Sequence, residues 1–83
     1  MRELRCRDLL DGKTIDAAGE QWLVSVDSVC RAGADFWIQL TLTGPVIRQL
    51  LVKLASATPV SAVLPRVLAW LEDPQQTGST LFL

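Results

Sequence analysis

The sequence predicts an α+β domain in which an antiparallel β-hairpin packs against two consecutive amphipathic helices. Two segments, at about 21–31 and 35–43, alternate apolar and polar residues with a period of two, which is typical of half-buried strands. Two later segments, at about 45–56 and 59–72, carry their apolar residues on one side of a helical wheel. A strand pair followed by helices is the pattern of the α+β class.

The length and composition predict a single small domain. The chain has 83 residues, of which 49% are apolar and 20% are charged. This length allows one hydrophobic core, so residues 1–83 are expected to form one domain, and the composition excludes a disordered or low-complexity chain. Residues 74–83 are expected to be a polar linker followed by an apolar tail, Leu81, Phe82 and Leu83, that docks onto its own sheet or a neighbour's.

The hairpin register follows from its predicted loop. Pairing Arg31 with Asp35 leaves a three-residue loop that contains Gly33, a residue suited to positive φ. This register also pairs Val24 with Leu42, and it sets core positions of one strand against core positions of the other. The loop and the apolar pattern therefore predict the same pairing.

The other face of the hairpin is more apolar than a solvated face needs to be. The predicted register places Val29 opposite Trp37 there, with Leu23 further along the same strand. Four roles remain open for Trp37: a protein contact, the wall of a ligand pocket, a base-stacking platform, or a residue covered by the N-terminal segment.

Proline residues mark the starts of the two predicted helices. Gly44-Pro45 precedes the first, and Thr58-Pro59 precedes the second. In the first helix Val52 lies within the polar arc, so it is expected to be exposed. In the second, Pro65 either kinks one continuous helix or separates a short turn from a helix that starts there.

Residues 1–20 allow two interpretations. The first seven residues alternate well enough to form a further N-terminal strand, whereas Leu9 and Leu10 suit a short helix. Arg2, Arg5 and Arg7 form a local basic cluster. Its attraction for phosphate is weakened by the acidic residues between the arginines.

Few residues of this chain suit catalysis or metal binding. It contains no histidine, asparagine or tyrosine, and its five glycines form no phosphate-binding loop. Cys6 and Cys30 match no zinc-site spacing and are expected to be reduced thiols in a cytoplasmic protein. No signal peptide or membrane span is predicted. We therefore predict no catalytic residue, no metal site and no cofactor.

The predicted function is association with another protein. A domain this small and apolar retains apolar surface once its core is filled, so we expect a homodimer with an adaptor or regulatory role. The predicted interface residues are Leu23, Val29, Trp37, Val52, Leu81, Phe82 and Leu83. The alternative is a regulatory domain that binds a small ligand between sheet and helices. A third hypothesis is weak nucleic-acid binding through the N-terminal arginines.

Overall fold

The computed structural model describes residues 2–73 and 78–83, with side chains from residue 4 onward, and it confirms the α+β class. The described elements are a helix, four strands, a 3₁₀ turn, a second helix and a last strand. They are α1 (Arg2–Leu10), β1 (Thr14–Ala17), β2 (Glu20–Ala32), β3 (Asp35–Thr43), β4 (Ile47–Leu54), the 3₁₀ turn Val60–Ala62, α2 (Val63–Glu72) and β5 (Thr80–Phe82). The strands form one sheet in chain order, antiparallel except for the parallel pair β4 and β5.

Both helices pack on one face of the sheet, here called the inner face. Alternate residues of each long strand are buried there, as the period-two pattern requires. Cys6 and Leu10 of α1, four residues apart and so on one side of the helix, join the same core as Val63 and Val67 of α2. The strand residues of this core are Ala17, Trp22, Val24, Val26, Phe36, Ile38, Leu40, Leu42, Leu50, Val52 and Leu54.

The predicted helix at 45–56 is wrong, because residues 47–54 form strand β4, paired with β3 along its whole length. An apolar run this dense satisfies both a helical and a strand period, so its pattern alone does not separate the two. Pairing with β3 buries Leu50, Val52 and Leu54 completely. The predicted exposure of Val52 is therefore also wrong.

The hairpin register is correct only as far as a β-bulge in β2. The predicted pairs Val24 with Leu42 and Val26 with Leu40 are present. The register then shifts between Val26 and Ser28, so that Val29 pairs with Ile38 and turns its side chain to the inner face. Past the bulge the hairpin closes by the pair Ala32 and Asp35, and its loop has two residues, not three.

Side chains from the first helix and its following turn hold the edge of β2 next to this bulge. The Val26 amide donates a hydrogen bond to Asp11 Oδ1 at 2.8 Å, and Arg7 Nη1 donates one to the Val26 carbonyl at 3.1 Å. These bonds replace the strand partner that β1 no longer supplies, because β1 pairs only with residues 20–23.

The structure also defines the N-terminal segment, the helix that contains Pro65 and the C-terminal strand. Residues 2–10 are helical, so a strand within residues 1–7 is wrong, while β1 supplies a further strand at Thr14–Ala17. Helix α2 starts at Val63, which puts Pro65 in its first turn, where its missing N–H breaks no hydrogen bond. Residues 74–77 of the predicted linker lie outside the described residues, and its last residue, Thr80, begins β5, where Leu81 pairs with Val52 of β4.

Candidate interaction surface

The sheet has an outer face, turned away from α1 and α2, and it is not covered by any other part of the described chain. Five large apolar side chains project from it. They are Leu23, Trp37, Ile47, Leu51 and Phe82. Ile47 and Phe82 are 69% and 66% exposed, and Leu23 is 41% exposed. An antiparallel sheet face in contact with water normally carries polar residues, so this set is unusual.

One end of the outer face carries aromatic rings around a lysine. Strand pairing places Cys30, Trp37, Lys53 and Phe82 in one row across β2 to β5. Lys53 Nζ lies 5.5 Å from the centroid of the Trp37 ring and 3.8 Å from Asp35 Oδ2. The ammonium is therefore held between a ring face and a carboxylate of its own chain.

The opposite end of the outer face carries two aliphatic side chains. Pairing aligns Leu23 with Thr43 and Thr43 with Ile47. The rows between the two ends are mostly uncharged and polar, and the Thr41 hydroxyl there donates a short hydrogen bond to Asp27 Oδ2. The face thus has apolar ends and a centre that is polar apart from Leu51.

The structure brings together only part of the predicted interface. Leu23, Trp37 and Phe82 lie on the outer face. The other predicted residues, Val29, Val52, Leu81 and Leu83, belong to the core or pack against it. For Val29 the cause is the bulge, which moves its side chain to the inner face.

Two members of the surface, Ile47 and Leu51, are absent from the predicted interface. A helix at 45–56 would turn both toward the core. A strand instead places Ile47, Leu51 and Lys53 on the face opposite Leu50 and Val52. The sequence signal for this face is Lys53, a polar residue between the apolar Val52 and Leu54, which fits the alternation of a strand.

The arginines of the first helix do not act together. Arg7 is bonded to the Val26 carbonyl, and Arg5 lines a separate groove. The side chain of Arg2 lies outside the described residues. Fewer arginines are therefore placed to attract one phosphate together than the sequence suggests.

The groove lies beside the first helix and not between sheet and helices, where buried side chains fill the space. Its volume is about 660 Å³. Arg5 and Leu9 of α1 form one side, and residues 56–61, which connect β4 to the 3₁₀ turn and enter it, form the other.

The two thiols have different surroundings. Cys6 is buried in the core and Cys30 is exposed on the outer face, and neither forms a disulfide bond. Residues 2–73 and 78–83 contain no group of three or more side chains arranged to hold a metal ion. Among the helices of the described chain, none has the length and apolarity needed to cross a membrane.

Comparison with protein-family models, with curated proteins and with solved structures finds no match to this chain.

Proposed function

We propose that this protein is a non-enzymatic protein-interaction module that forms a homodimer through the outer face of its sheet. The observation that carries this proposal is the set of five large apolar side chains on a face that the described chain leaves uncovered. Burial of apolar surface contributes about 25 cal/mol per Å², so contact between two such faces is favourable.

The charges on the outer face favour a second copy as the partner. Lys53 already lies next to Asp35, and Asp27 accepts a hydrogen bond from Thr41. A face on which a lysine offsets one carboxylate and a second carboxylate accepts a hydrogen bond repels an identical face less than bare carboxylates would. Closed two-fold pairs are also the commonest form of self-association.

The size of the face indicates a weak dimer. A nine-residue strand such as β3 is roughly 30 Å long, and the four gaps between five strands are roughly 19 Å wide in total. Two such faces bury about 1,100 Å², which is near the lower limit for specific interfaces. We therefore expect a dissociation constant in the micromolar range.

An adaptor or regulatory role, and a cytoplasmic location, belong to the same proposal. Weak dimers exchange partners readily, which suits an adaptor. The absence of a disulfide between Cys6 and Cys30 is compatible with a reducing compartment. The lack of histidine supports a non-enzymatic role, because the usual proton shuttle is missing.

Sedimentation equilibrium of the full chain, from about 1 to about 300 µM, tests the proposal. We expect a monomer–dimer equilibrium that Trp37→Ser and Phe82→Ser each weaken at least tenfold. The matched control is Leu4→Ser, because Leu4 is 60% exposed but lies on α1, on the other side of the molecule. A monomer at every concentration, or equal weakening by Leu4→Ser, would refute the proposal.

A further inference from the structure

The groove beside the first helix has an apolar wall built by both of its sides. Leu9 of α1 is 48% exposed there, and Ala57, Pro59 and Val60 line the opposite side. Burial of Cys6 and Leu10 fixes how α1 is rotated about its axis. That rotation directs Arg5 and Leu9, which are also four residues apart, toward the groove together.

The groove also carries one positive charge. Arg5 is the charged residue among those that line it, and no described carboxylate lies within ion-pair distance of its guanidinium. The other polar residues of the lining are Ser56, Thr58 and Ser61, whose hydroxyl groups both donate and accept hydrogen bonds. A guanidinium with no described carboxylate beside it, next to an apolar wall, favours a ligand with one anionic group and an apolar body.

Backbone hydrogen bonds hold the segment that forms one side of the groove. The Thr58 amide donates a hydrogen bond to the Ala55 carbonyl at 3.0 Å, and the Ala62 amide donates one to the Pro59 carbonyl at 3.1 Å. These bonds define the path of the chain through the lining segment. A volume of about 660 Å³ also lies within the usual range of small-molecule sites, roughly 300–1,000 Å³.

We propose that this groove is a binding site for a small monocarboxylate with an apolar body. Arg5 binds the carboxylate through the paired N–H groups of its guanidinium, while Leu9 and Val60 contact the apolar body. The site lies on the helical side of the molecule and the outer face on the opposite side, so the two proposals stand or fall separately.

The test is a titration of the full chain with octanoate, followed by two-dimensional amide NMR. Octylamine serves as the matched probe, because it has the same apolar chain and the opposite charge. With both probes below their micelle-forming concentrations, we expect octanoate to shift the amide signals of Leu9, Ala57 and Val60 with millimolar affinity. We expect octylamine to bind at least tenfold more weakly.

Two variants identify the group that selects the charge. Arg5→Gln is expected to weaken octanoate binding at least tenfold and to leave octylamine binding unchanged. The control is Arg66→Gln, because Arg66 is an exposed arginine on α2 that does not line the groove. Arg5 is exposed, so its replacement is expected to leave the fold intact, which the amide spectrum checks directly. Equal binding of the two probes, shifts confined to the outer face, or unchanged octanoate binding by Arg5→Gln would overturn the proposal.

Discussion

The indole ring of Trp22 lies directly against the backbone of Gly44. A β-carbon placed on Gly44 would be 2.7 Å from Cδ2 and from Cε3 of that ring. The ring belongs to the core and is only 7% exposed, so it has little space into which to move. The turn between β3 and β4 therefore requires glycine because of close packing.

This contact predicts that Gly44→Ala lowers the free energy of unfolding by about 1–3 kcal/mol, the usual range for overpacking. Chemical denaturation followed by circular dichroism measures the loss. The control is Val46→Ala, because Val46 is in the same turn and 55% exposed. In a Trp22→Phe background the cost of Gly44→Ala should shrink, and an unchanged cost would show that the ring is not its cause.

Because residues 47–54 form a strand, truncating two neighbouring residues of β4 should lower the free energy of unfolding by different amounts. Val52 is fully buried and Leu51 is only half-buried on the outer face. Val52→Ala should therefore cost roughly 2 kcal/mol of unfolding free energy, and Leu51→Ala less than about 1 kcal/mol. Thermal and urea unfolding measure both. A helix at 45–56 would bury Leu51 and expose Val52. A larger loss of unfolding free energy for Leu51→Ala than for Val52→Ala would therefore contradict the strand.

The hydrogen bond from the Val26 amide to Asp11 predicts a local effect at the β2 edge. Asp11→Ala removes the acceptor and should lower the free energy of unfolding by about 1–2 kcal/mol. Hydrogen exchange at the Val26 amide should become faster in the same variant. Asp16→Ala is the control, since Asp16 is an exposed aspartate of β1. Slow exchange retained in Asp11→Ala would show that the amide is protected by other means.

The contact of Lys53 with Asp35 and Trp37 predicts how charge affects the proposed dimer. Lys53→Glu places a carboxylate beside Asp35 on both copies, so the dissociation constant should rise at least tenfold. Sedimentation equilibrium measures this rise, which added salt should partly reverse. Lys13→Glu makes the same charge change at an exposed residue before β1. If both variants raised the dissociation constant equally, the cause would be the net charge of the protein and not the position of Lys53 on the outer face.

The different exposure of the two thiols allows chemical labelling to probe the same face. Cys30 is exposed and Cys6 is buried, so a thiol reagent should label one cysteine per folded chain quickly and the second only on unfolding. If the outer face is the dimer interface, Cys30 labelling should slow as the protein concentration rises. Rates that do not depend on concentration would place Cys30 outside the interface.

Local patterns were sufficient for the two strands of the hairpin, for their register before the bulge and for the second helix from Val63 onward. Alternation in 35–43 requires only that one face be buried, and β3 follows it without interruption. The pairs Val24 with Leu42 and Val26 with Leu40 follow from that pattern as well. The apolar stripe of α2 likewise depends on residues within a few turns of each other.

Pairing between strands determined the features that local sequence patterns did not predict. Residues 47–54 satisfy two periods, and only the free edge of β3 selects the strand. The bulge near Asp27 inserts one residue into β2, and no feature of the sequence marks it. The insertion turns the side chain of Val29 to the inner face. The wrong helix accounts for the missing Ile47 and Leu51 in the predicted interface, and the bulge accounts for the wrongly included Val29.

The amino-acid sequence alone thus establishes a small α+β domain with surplus apolar residues, because composition and local period depend on near neighbours in the chain. Which of those residues face outward is decided by tertiary pairing. A strand has two faces, and the partner strand and its register select the one that the helices cover. The outer face therefore contains Trp37, as the sequence predicts, and also Phe82, which the sequence predicts only as part of a docking tail, while Val52 lies in the core.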